Sequence, residues 1–384
     1  MRKVSVGDFR IGDAEKKAVM EVLESERISE GPKTKEFELK WASFVGTKHC
    51  CLVNSGTSAL IAGLTALKIR DAIPDNSKVI TTPMTYIATS NSVVTSRLQP
   101  IFVDIEPKTF CITPENISAY LEEQDSIDGI SIILPVHLMG YSCDMDKINA
   151  VAKKYGLISL EDSAQAHGSL YNGRRTGSNS AMSFFSFHIA HNIQVGEMGC
   201  VNTNNNELDE LVKKIKSNGR RSEKLEDRFY HDIIGYNFKT VELLAAIGVA
   251  QIGKADSIIK ARQENVKYLN EELSSLSGCL QLPEYSKDVS YLAYPIVLRE
   301  NEKISRDELI KELDLKGVES RPLFGSIPTQ QPAYSNLKDQ YKGKLPNADY
   351  AGANGFYIGC HQFLEREDLD QIVVSLKKIL ANKF

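Results

Sequence analysis

The chain has 384 residues, of which 42% are hydrophobic, enough apolar material for one large domain and a smaller one. Its formal net charge is −4, with both signs mixed along the chain, which gives no support for nucleic acid or an anionic membrane as a partner. The first residues lack the apolar run of a signal peptide, and no stretch approaches the ~20 apolar residues of a membrane span. We therefore expect a cytoplasmic protein.

Seven cysteines are scattered along the chain without C-x-x-C or C-x-C spacing. This pattern predicts reduced thiols in an intracellular protein. An iron–sulfur cluster needs several thiolates brought close together, which the spacing does not favour. We expect no metal site.

The first two thirds of the chain alternate strand and helix patterns. An amphipathic helix is indicated at 13–25, and CCLVNSGTSALIAGLTAL at 50–67 indicates a strand, a tight turn and a helix. Further buried-strand patterns follow at 78–94, 100–112, 129–140 and 156–164. The alternation predicts an α/β fold with a mainly parallel sheet covered by helices on both faces.

The pattern changes after residue 250. A long amphipathic helix is indicated at 251–276, and short strands and helices follow it. We therefore predict a large domain at 1–250, then a linking helix and a smaller α+β domain at 251–384.

Two features suit a binding site at the predicted sheet edge, although Ser and Thr also cap most helices. The small residues of SGTS open a helix, where unpaired N–H groups and partial positive charge suit a phosphate. The strand GLISLEDSA delivers Asp162 at its carboxyl end, where α/β folds place their ligands.

Residues 161–202 carry the most specific motif: EDSAQAHGS, a Ser-Phe segment, then GEMG. This stretch resembles the site of the DegT/DnrJ/EryC1/StrS sugar aminotransferase family, which uses pyridoxal 5′-phosphate. The resemblance implies the type I fold of pyridoxal-phosphate-dependent aminotransferases, with 1–250 as the cofactor-binding domain. In the family pattern a lysine stands five residues before the Gly-Glu, and here His191 occupies that position without any gap in the register.

The exchange at His191 changes the chemistry that the resemblance implies. A lysine amine bonds to the cofactor aldehyde, whereas an imidazole cannot. An imidazole can still exchange a proton near neutral pH, because its ordinary pKa is about 6.5. The resemblance is therefore to the histidine-bearing branch, similar to GDP-4-keto-6-deoxymannose 3-dehydratase. It implies pyridoxamine or pyridoxal 5′-phosphate bound non-covalently.

The resemblance also implies the remaining site residues. The predicted contacts to the cofactor phosphate are Gly56, Thr57, Ser58 and Ser186. Tyr86 is predicted to stack on the ring, Asp162 to face the pyridine nitrogen and Gln165 to face the phenolic oxygen. Asn237, in GYNFK, would reach the cofactor phosphate of a neighbouring subunit, which implies a homodimer with shared active sites. Arg321 and His361 would edge the substrate cleft, with Arg321 suited to a nucleotide diphosphate.

Some residues depart from the pattern or lie close to it. His188, three residues before His191, is expected to be a packing or supporting group, as is His167. Asn192 replaces the second histidine often seen in dehydratases, and Gln165 follows the aminotransferase version of its motif. Lys239 replaces an arginine, so the phosphate contact there is expected to be altered.

Taken together, the resemblance implies a 3-dehydratase of a nucleotide-linked 4-keto-6-deoxyhexose, in deoxysugar and O-antigen biosynthesis. His191 would serve first as base and then as acid toward the departing C3 hydroxyl, and glutamate would restore the amine form of the cofactor. One alternative is a 4-aminotransferase with an unusual base. Another is a catalytically silent relative.

Overall fold

The computed structural model describes residues 3–222, 224–227, 229–299 and 303–381. Its fourteen α-helices, counted over these residues, are α1 Asp13–Glu24, α2 Pro32–Val45, α3 Gly56–Arg70, α4 Ala88–Thr95, α5 Pro114–Glu122, α6 Met145–Tyr155, α7 Asn206–Lys216, α8 Glu242–Ile252, α9 Ala255–Leu273, α10 Arg306–Leu315, α11 Ile327–Gln330, α12 Lys338–Tyr341, α13 Pro346–Asn354 and α14 Arg366–Ala381. No helix in this part of the chain is both long and apolar enough to cross a membrane.

The strands, in chain order, are β1 His49–Val53, β2 Lys78–Thr81, β3 Gln99–Phe102, β4 Ile130–Leu134, β5 Ile158–Ser159, β6 Glu161–Asp162, β7 Leu170–Tyr171, β8 Arg174–Arg175, β9 Met182–Ser186, β10 Gly199–Thr203, β11 Leu280–Gln281, β12 Tyr294–Leu298, β13 Ser320–Pro322 and β14 Gly355–Ile358.

One large sheet forms the centre of the molecule. Two four-stranded groups have the orders β3-β2-β4-β5 and β6-β9-β10-β1. Only Leu160 separates β5 from β6, and Asp162 pairs with Val136 just beyond the end of β4. The two groups therefore continue into one another, with β6 in the middle of the combined sheet.

The sheet is parallel from β3 to β9 and antiparallel at one edge, where β9 pairs with β10 and β10 with β1. The prediction of a mainly parallel sheet did not include this reversal. A crossover between parallel neighbours usually contains a helix, whereas residues 187–198 connect β9 to β10 without one, and the two strands pair antiparallel. That return carries His188 and His191.

A second, antiparallel sheet of order β11-β12-β14-β13 lies in the carboxyl-terminal part, as expected for an α+β unit. Its core is continuous with that of the large sheet: one buried cluster includes Ile80 and Ile133 together with Ile296 and Leu376. The boundary at 250/251 stays a prediction.

Helix α3 packs closely on β9, which fixes the helix start beside the strand end. A Cβ added to Gly63 would lie 2.2 Å from Cε1 of Phe184 and 2.8 Å from its Cζ. Both residues are buried, so the contact cannot be relieved by turning a side chain into solvent.

We expect Gly63→Ala to destabilise the protein by about 1–3 kcal/mol, because overpacking a core costs about that much. An alanine in an unconstrained helix would instead add up to about 1 kcal/mol. Denaturant unfolding measures the change, with Gly278→Ala as control, since nothing lies within 4 Å of a Cβ there. An unfolding free energy equal to or above that of the parent would contradict this packing.

Candidate active site

A cavity of about 730 Å³ opens at the carboxyl ends of β6 and β9. Its wall includes the start of α3, the return between β9 and β10, and the amino-terminal segment 6–9. The predicted site residues that line it are Gly56, Thr57, Tyr86, Asp162, Gln165, Ser186, His191 and Arg321. The sequence prediction and the fold therefore identify the same place.

The start of α3 has the form of an anion cradle. The hydroxyl of Ser55 caps the helix by accepting from the amide of Ser58 at 3.1 Å. Helix starts leave their first amides without intrahelical partners, so those of Gly56 and Thr57 remain available beside the cavity that both residues line. A Cβ on Gly56 would lie 2.6 Å from Cβ of Ser186, so only glycine allows the two to approach this closely. Amides and a hydroxyl meeting at a helix start suit a phosphate.

Asp162 is a buried carboxylate that lines the cavity. It accepts hydrogen bonds from the hydroxyl of Thr89 at 2.8 Å and from the amide of Ala164 at 3.2 Å. Burial raises its pKa, and no basic side chain among the described residues forms an ion pair with it. A cation supplied by a ligand would compensate the charge.

Gln165 and Tyr86 occupy two further sides of the cavity. The carbonyl oxygen of Gln165 accepts from the amide of Met139 at 3.0 Å, which leaves its NH₂ group as a donor toward the cavity. Tyr86 is 61% exposed and its ring meets that of Phe324 edge-on at 6.3 Å. An amide donor and an aromatic face are suited to a flat ring that carries an oxygen substituent.

His191 borders the cavity with an imidazole that is held by its neighbours. Its ring stacks on His167, with centroids 5.6 Å apart and planes inclined by 29°. His167 accepts the amide hydrogen of Ile193 at 3.3 Å, which fixes the orientation of the stacked partner. Burial lowers the pKa of His191 to about 3, with further contributions from His188 and Arg262. The imidazole is therefore uncharged at neutral pH, with a lone pair on one ring nitrogen.

No lysine is among the described residues that line the cavity. Lys239, which the sequence analysis placed near the cofactor phosphate, is exposed and lies outside the cavity of its own chain.

The structure places three predicted site residues away from the cavity. Ser58 is buried and pairs with the hydroxyl of Ser55, so it stabilises the helix start. His361 is 1% exposed and its Nε2 lies 3.2 Å from the carbonyl oxygen of Ser5, so it fastens the amino-terminal segment. Asn237 is exposed on its own chain, and its predicted contact requires a neighbouring subunit.

His188 is also placed differently from the expectation that it packs. It lines the mouth of the cavity, its side chain is 45% exposed, and its Nε2 lies 3.6 Å from a carboxylate oxygen of Glu197. The reason is geometric: the chain turns sharply here, since the amide of His191 donates to the carbonyl of His188 at 2.9 Å, and both rings reach the same cavity.

Sequence reasoning missed Thr89 and Arg262, which both matter to the charge balance of the site. Arg262 is 2% exposed and lines the cavity. A signal existed, because Arg262 stands between Ile258 and Val266 on the buried face of α9, where an amphipathic pattern calls for an apolar residue. A cation at such a position indicates a specific partner or ligand.

These groups fit pyridoxal or pyridoxamine phosphate. The helix start and Ser186 match a phosphate, the unpaired carboxylate of Asp162 matches a protonated ring nitrogen, and Gln165 matches the phenolic oxygen. Among the described residues, no group of His, Cys, Asp and Glu side chains is arranged to hold a metal ion.

Comparison with known proteins agrees with this geometry. Residues 10–377 match the DegT/DnrJ/EryC1/StrS aminotransferase family. The chain is 31% identical to GDP-perosamine synthase of Caulobacter vibrioides, over 99% of either chain. It is also 31% identical to dTDP-4-dehydro-2,6-dideoxy-D-glucose 3-dehydratase of Saccharopolyspora spinosa, over 95% of this chain and 84% of that one.

A solved aminotransferase from Psychrobacter cryohalolentis superposes with a TM-score of 0.88 at 28% identity, over 97% of this chain and 98% of that one. The predicted type I aminotransferase fold is confirmed.

We expect Asp162→Asn to weaken binding of pyridoxal phosphate by about 10–100-fold, since a hydrogen bond to a charged group contributes about 1.5–3 kcal/mol. The cofactor-free variant should be at least as stable as the parent at neutral pH, because a buried carboxylate without a cation is removed. Calorimetric titration and thermal unfolding measure the two effects, with Asp146→Asn, on the surface, as control. Unchanged affinity would show that Asp162 does not face the ring nitrogen.

The pKa of His191 has a consequence for stability without cofactor. Its folded pKa of about 3 lies below the ordinary 6.5, so between these values the unfolded chain takes up a proton that the folded chain does not. Stability is therefore lost as pH falls through this window, by about 2 kcal/mol at pH 5. His191→Asn should reduce that loss when unfolding is measured at pH 7 and pH 5. An equal loss in parent and variant would contradict the enclosed, uncharged imidazole.

Proposed function

Because the chain belongs to the DegT/DnrJ/EryC1/StrS aminotransferase family, we propose that it is a 3-dehydratase of a nucleotide-linked 4-keto-6-deoxyhexose. Its cofactor is pyridoxamine or pyridoxal 5′-phosphate, held without a covalent bond. The product is the corresponding 4-keto-3,6-dideoxy sugar, which serves deoxysugar and O-antigen biosynthesis.

The observation that carries the proposal is the identity of the base at the cavity wall. His191 stands where the family pattern has its lysine, and no lysine is found among the described lining residues. An aminotransferase uses its lysine both as a covalent anchor and as the group that returns a proton to the sugar C4. Neither role can be filled here by an amine of the cavity wall, whereas an uncharged imidazole can accept and release a proton.

The cavity residues have separate roles in this reaction. When bound, the cofactor supplies an amino group for the sugar C4 ketone and a ring that accepts electrons. Asp162 keeps the ring nitrogen protonated, and Gln165 and Tyr86 orient the ring. His191 accepts a proton inside the cavity and returns it to the C3 oxygen, so that the C3–O bond breaks and water leaves. Because burial destabilises protonated His191, the proton is released readily to the departing oxygen.

The partners follow from the same chemistry. Arg321, which lines the cavity and is paired with Glu319 at 2.9 Å, suits the diphosphate of the nucleotide. Glutamate restores the amine form of the cofactor. Asn237 of one subunit would complete the site of the other. The apolar residues Leu225 and Ile234 lie near Asn237 in sequence and are 81% and 92% exposed. Such exposed apolar side chains suit burial in a homodimer interface.

A 4-aminotransferase is the second candidate. Gln165 follows the aminotransferase version of its motif, and the similar proteins include a solved aminotransferase as well as a 3-dehydratase. In that case the same cavity would deliver an amine to the sugar C4 and the C3 oxygen would be kept.

The product mass separates the candidates. The protein, loaded with pyridoxamine phosphate, is incubated with glutamate and GDP- or dTDP-linked 4-keto-6-deoxyhexose, and the sugar is weighed by mass spectrometry. We expect loss of the C3 oxygen. We expect His191→Lys to dehydrate at least about 100-fold more slowly, since an amine that bonds the cofactor no longer serves as the free base.

A 4-amino sugar that keeps its C3 oxygen would overturn the dehydratase and favour the aminotransferase. Absence of turnover on both sugars would favour a silent relative. His49→Gln, which removes a histidine–carboxylate pair outside the cavity, is the matched control and should leave the rate unchanged.

A further inference from the structure

His188 and Glu197 form a pair of polar side chains at the mouth of the cavity. Both residues line the cavity, and Nε2 of His188 lies 3.6 Å from a carboxylate oxygen of Glu197. Their side chains are 45% and 67% exposed, so a ligand that extends out of the cavity can reach both. Neither side chain has a part in the proton transfer assigned to His191.

The return between β9 and β10 holds this pair in place. His188 forms a backbone bridge with Gly196, the residue before Glu197. The amide of Phe187 donates to the carbonyl of Met198 at 2.7 Å, so the residues on the outer side of the pair are fastened as well. The two side chains are therefore brought together by the backbone before a ligand binds, which reduces the entropy that binding must offset.

Hydrogen bonds determine what each side chain can offer to a ligand. The amide of Ala190 donates to Nδ1 of His188 at 3.2 Å, so the hydrogen of the neutral ring lies on Nε2, the nitrogen that faces Glu197. His188 is then a donor, and the carboxylate of Glu197 is an acceptor. The 3.6 Å between them exceeds a hydrogen-bond length, so each can bond a third group. A hydroxyl, which both donates and accepts, matches such a pair.

The position of the pair relative to His191 selects the hydroxyl. The ring centroids of His188 and His191 are 6.3 Å apart, and Nδ1 of His191 is enclosed, so His188 lies nearer to the solvent. In the proposed reaction the sugar C4 joins the cofactor inside the cavity and the C3 oxygen meets His191. C1 carries the nucleotide diphosphate, which needs the open mouth. C2 lies between C3 and C1 and therefore comes next along this path, beside His188.

We propose that His188 and Glu197 bind the C2 hydroxyl of the hexose and so select nucleotide sugars that carry this hydroxyl over their 2-deoxy counterparts. The inference rests on the proposed function for the nucleotide sugar and for its direction in the cavity. It does not depend on whether the sugar loses its C3 oxygen, because a dehydratase and a 4-aminotransferase both join the sugar to the cofactor through C4.

The test compares two sugars that differ only at C2. GDP- or dTDP-linked 4-keto-6-deoxyhexose and its 2-deoxy analogue are titrated calorimetrically into the protein loaded with pyridoxal phosphate, which has no amine to convert them. The parent should bind the 2-hydroxy sugar at least about tenfold more tightly, since the 2-deoxy sugar leaves the polar pair without its partner. His188→Phe and Glu197→Leu should each lose most of this preference, by weakening the binding of the 2-hydroxy sugar alone.

Two further variants separate a hydrogen bond from a packing contact. His188→Gln keeps an amide donor near the position of Nε2 and should retain most of the preference, which a role of the imidazole in packing would not predict. His49→Phe is the matched control, because it removes the partly buried histidine of a histidine–carboxylate pair outside the cavity. It should leave both dissociation constants unchanged.

Equal affinity of the parent for the two sugars would overturn the proposal. So would a preference that survives in both His188→Phe and Glu197→Leu. Variants that weaken the binding of both sugars equally would assign the pair to the nucleotide instead of the C2 hydroxyl. A sugar product that keeps its C3 oxygen would overturn the dehydratase alone.

Discussion

An imidazole cannot form the covalent link to an aldehyde that a primary amine forms, and this constraint governs the cavity. With His191 at the wall and no described lysine beside it, we propose that the cofactor is held by noncovalent contacts. We propose that the start of α3, the hydroxyl of Ser186 and the carboxylate of Asp162 supply those contacts. The same exchange leaves the base free to move protons instead of anchoring a ring.

The charges of the cavity are separated in a way that suits this chemistry. Among the described residues, no cation pairs with the buried carboxylate of Asp162 and no carboxylate pairs with the buried guanidinium of Arg262. His191 is uncharged at neutral pH, because burial lowers its pKa to about 3. Each isolated buried charge destabilises the folded protein, and a bound ligand of opposite charge would offset this effect. These buried charges lower the stability of the ligand-free protein. In return, they are already oriented when the cofactor and substrates enter.

Much of this could be predicted from the sequence, for identifiable physical reasons. The carboxyl end of a parallel strand is a binding position in any α/β sheet, which located Asp162, and a run of small residues at a helix start located Gly56 and Thr57. The antiparallel edge was not predicted, because strand direction depends on how the return at 187–198 crosses the sheet and local pattern does not encode that.

The errors of placement arose differently. The roles expected of His188 and His361 both came from the family resemblance. In this chain a tight turn brings His188 to the cavity, and the amino-terminal segment covers His361. Arg262 was missed although its place between Ile258 and Val266 puts it on the buried face of α9, because the helix was identified from its apolar positions and the exception among them was not examined. The position of Asn237 depends on a second subunit, which one sequence does not display.

The most direct test of noncovalent binding is reductive trapping. The protein is loaded with pyridoxal phosphate, treated with borohydride, unfolded and weighed by mass spectrometry. A chain that bonds the cofactor through an amine gains the mass of one reduced cofactor on one lysine. A cofactor held beside His191 without a covalent bond leaves the mass of the chain unchanged. We predict the unchanged mass. A stoichiometric adduct on any lysine of the parent would contradict noncovalent binding.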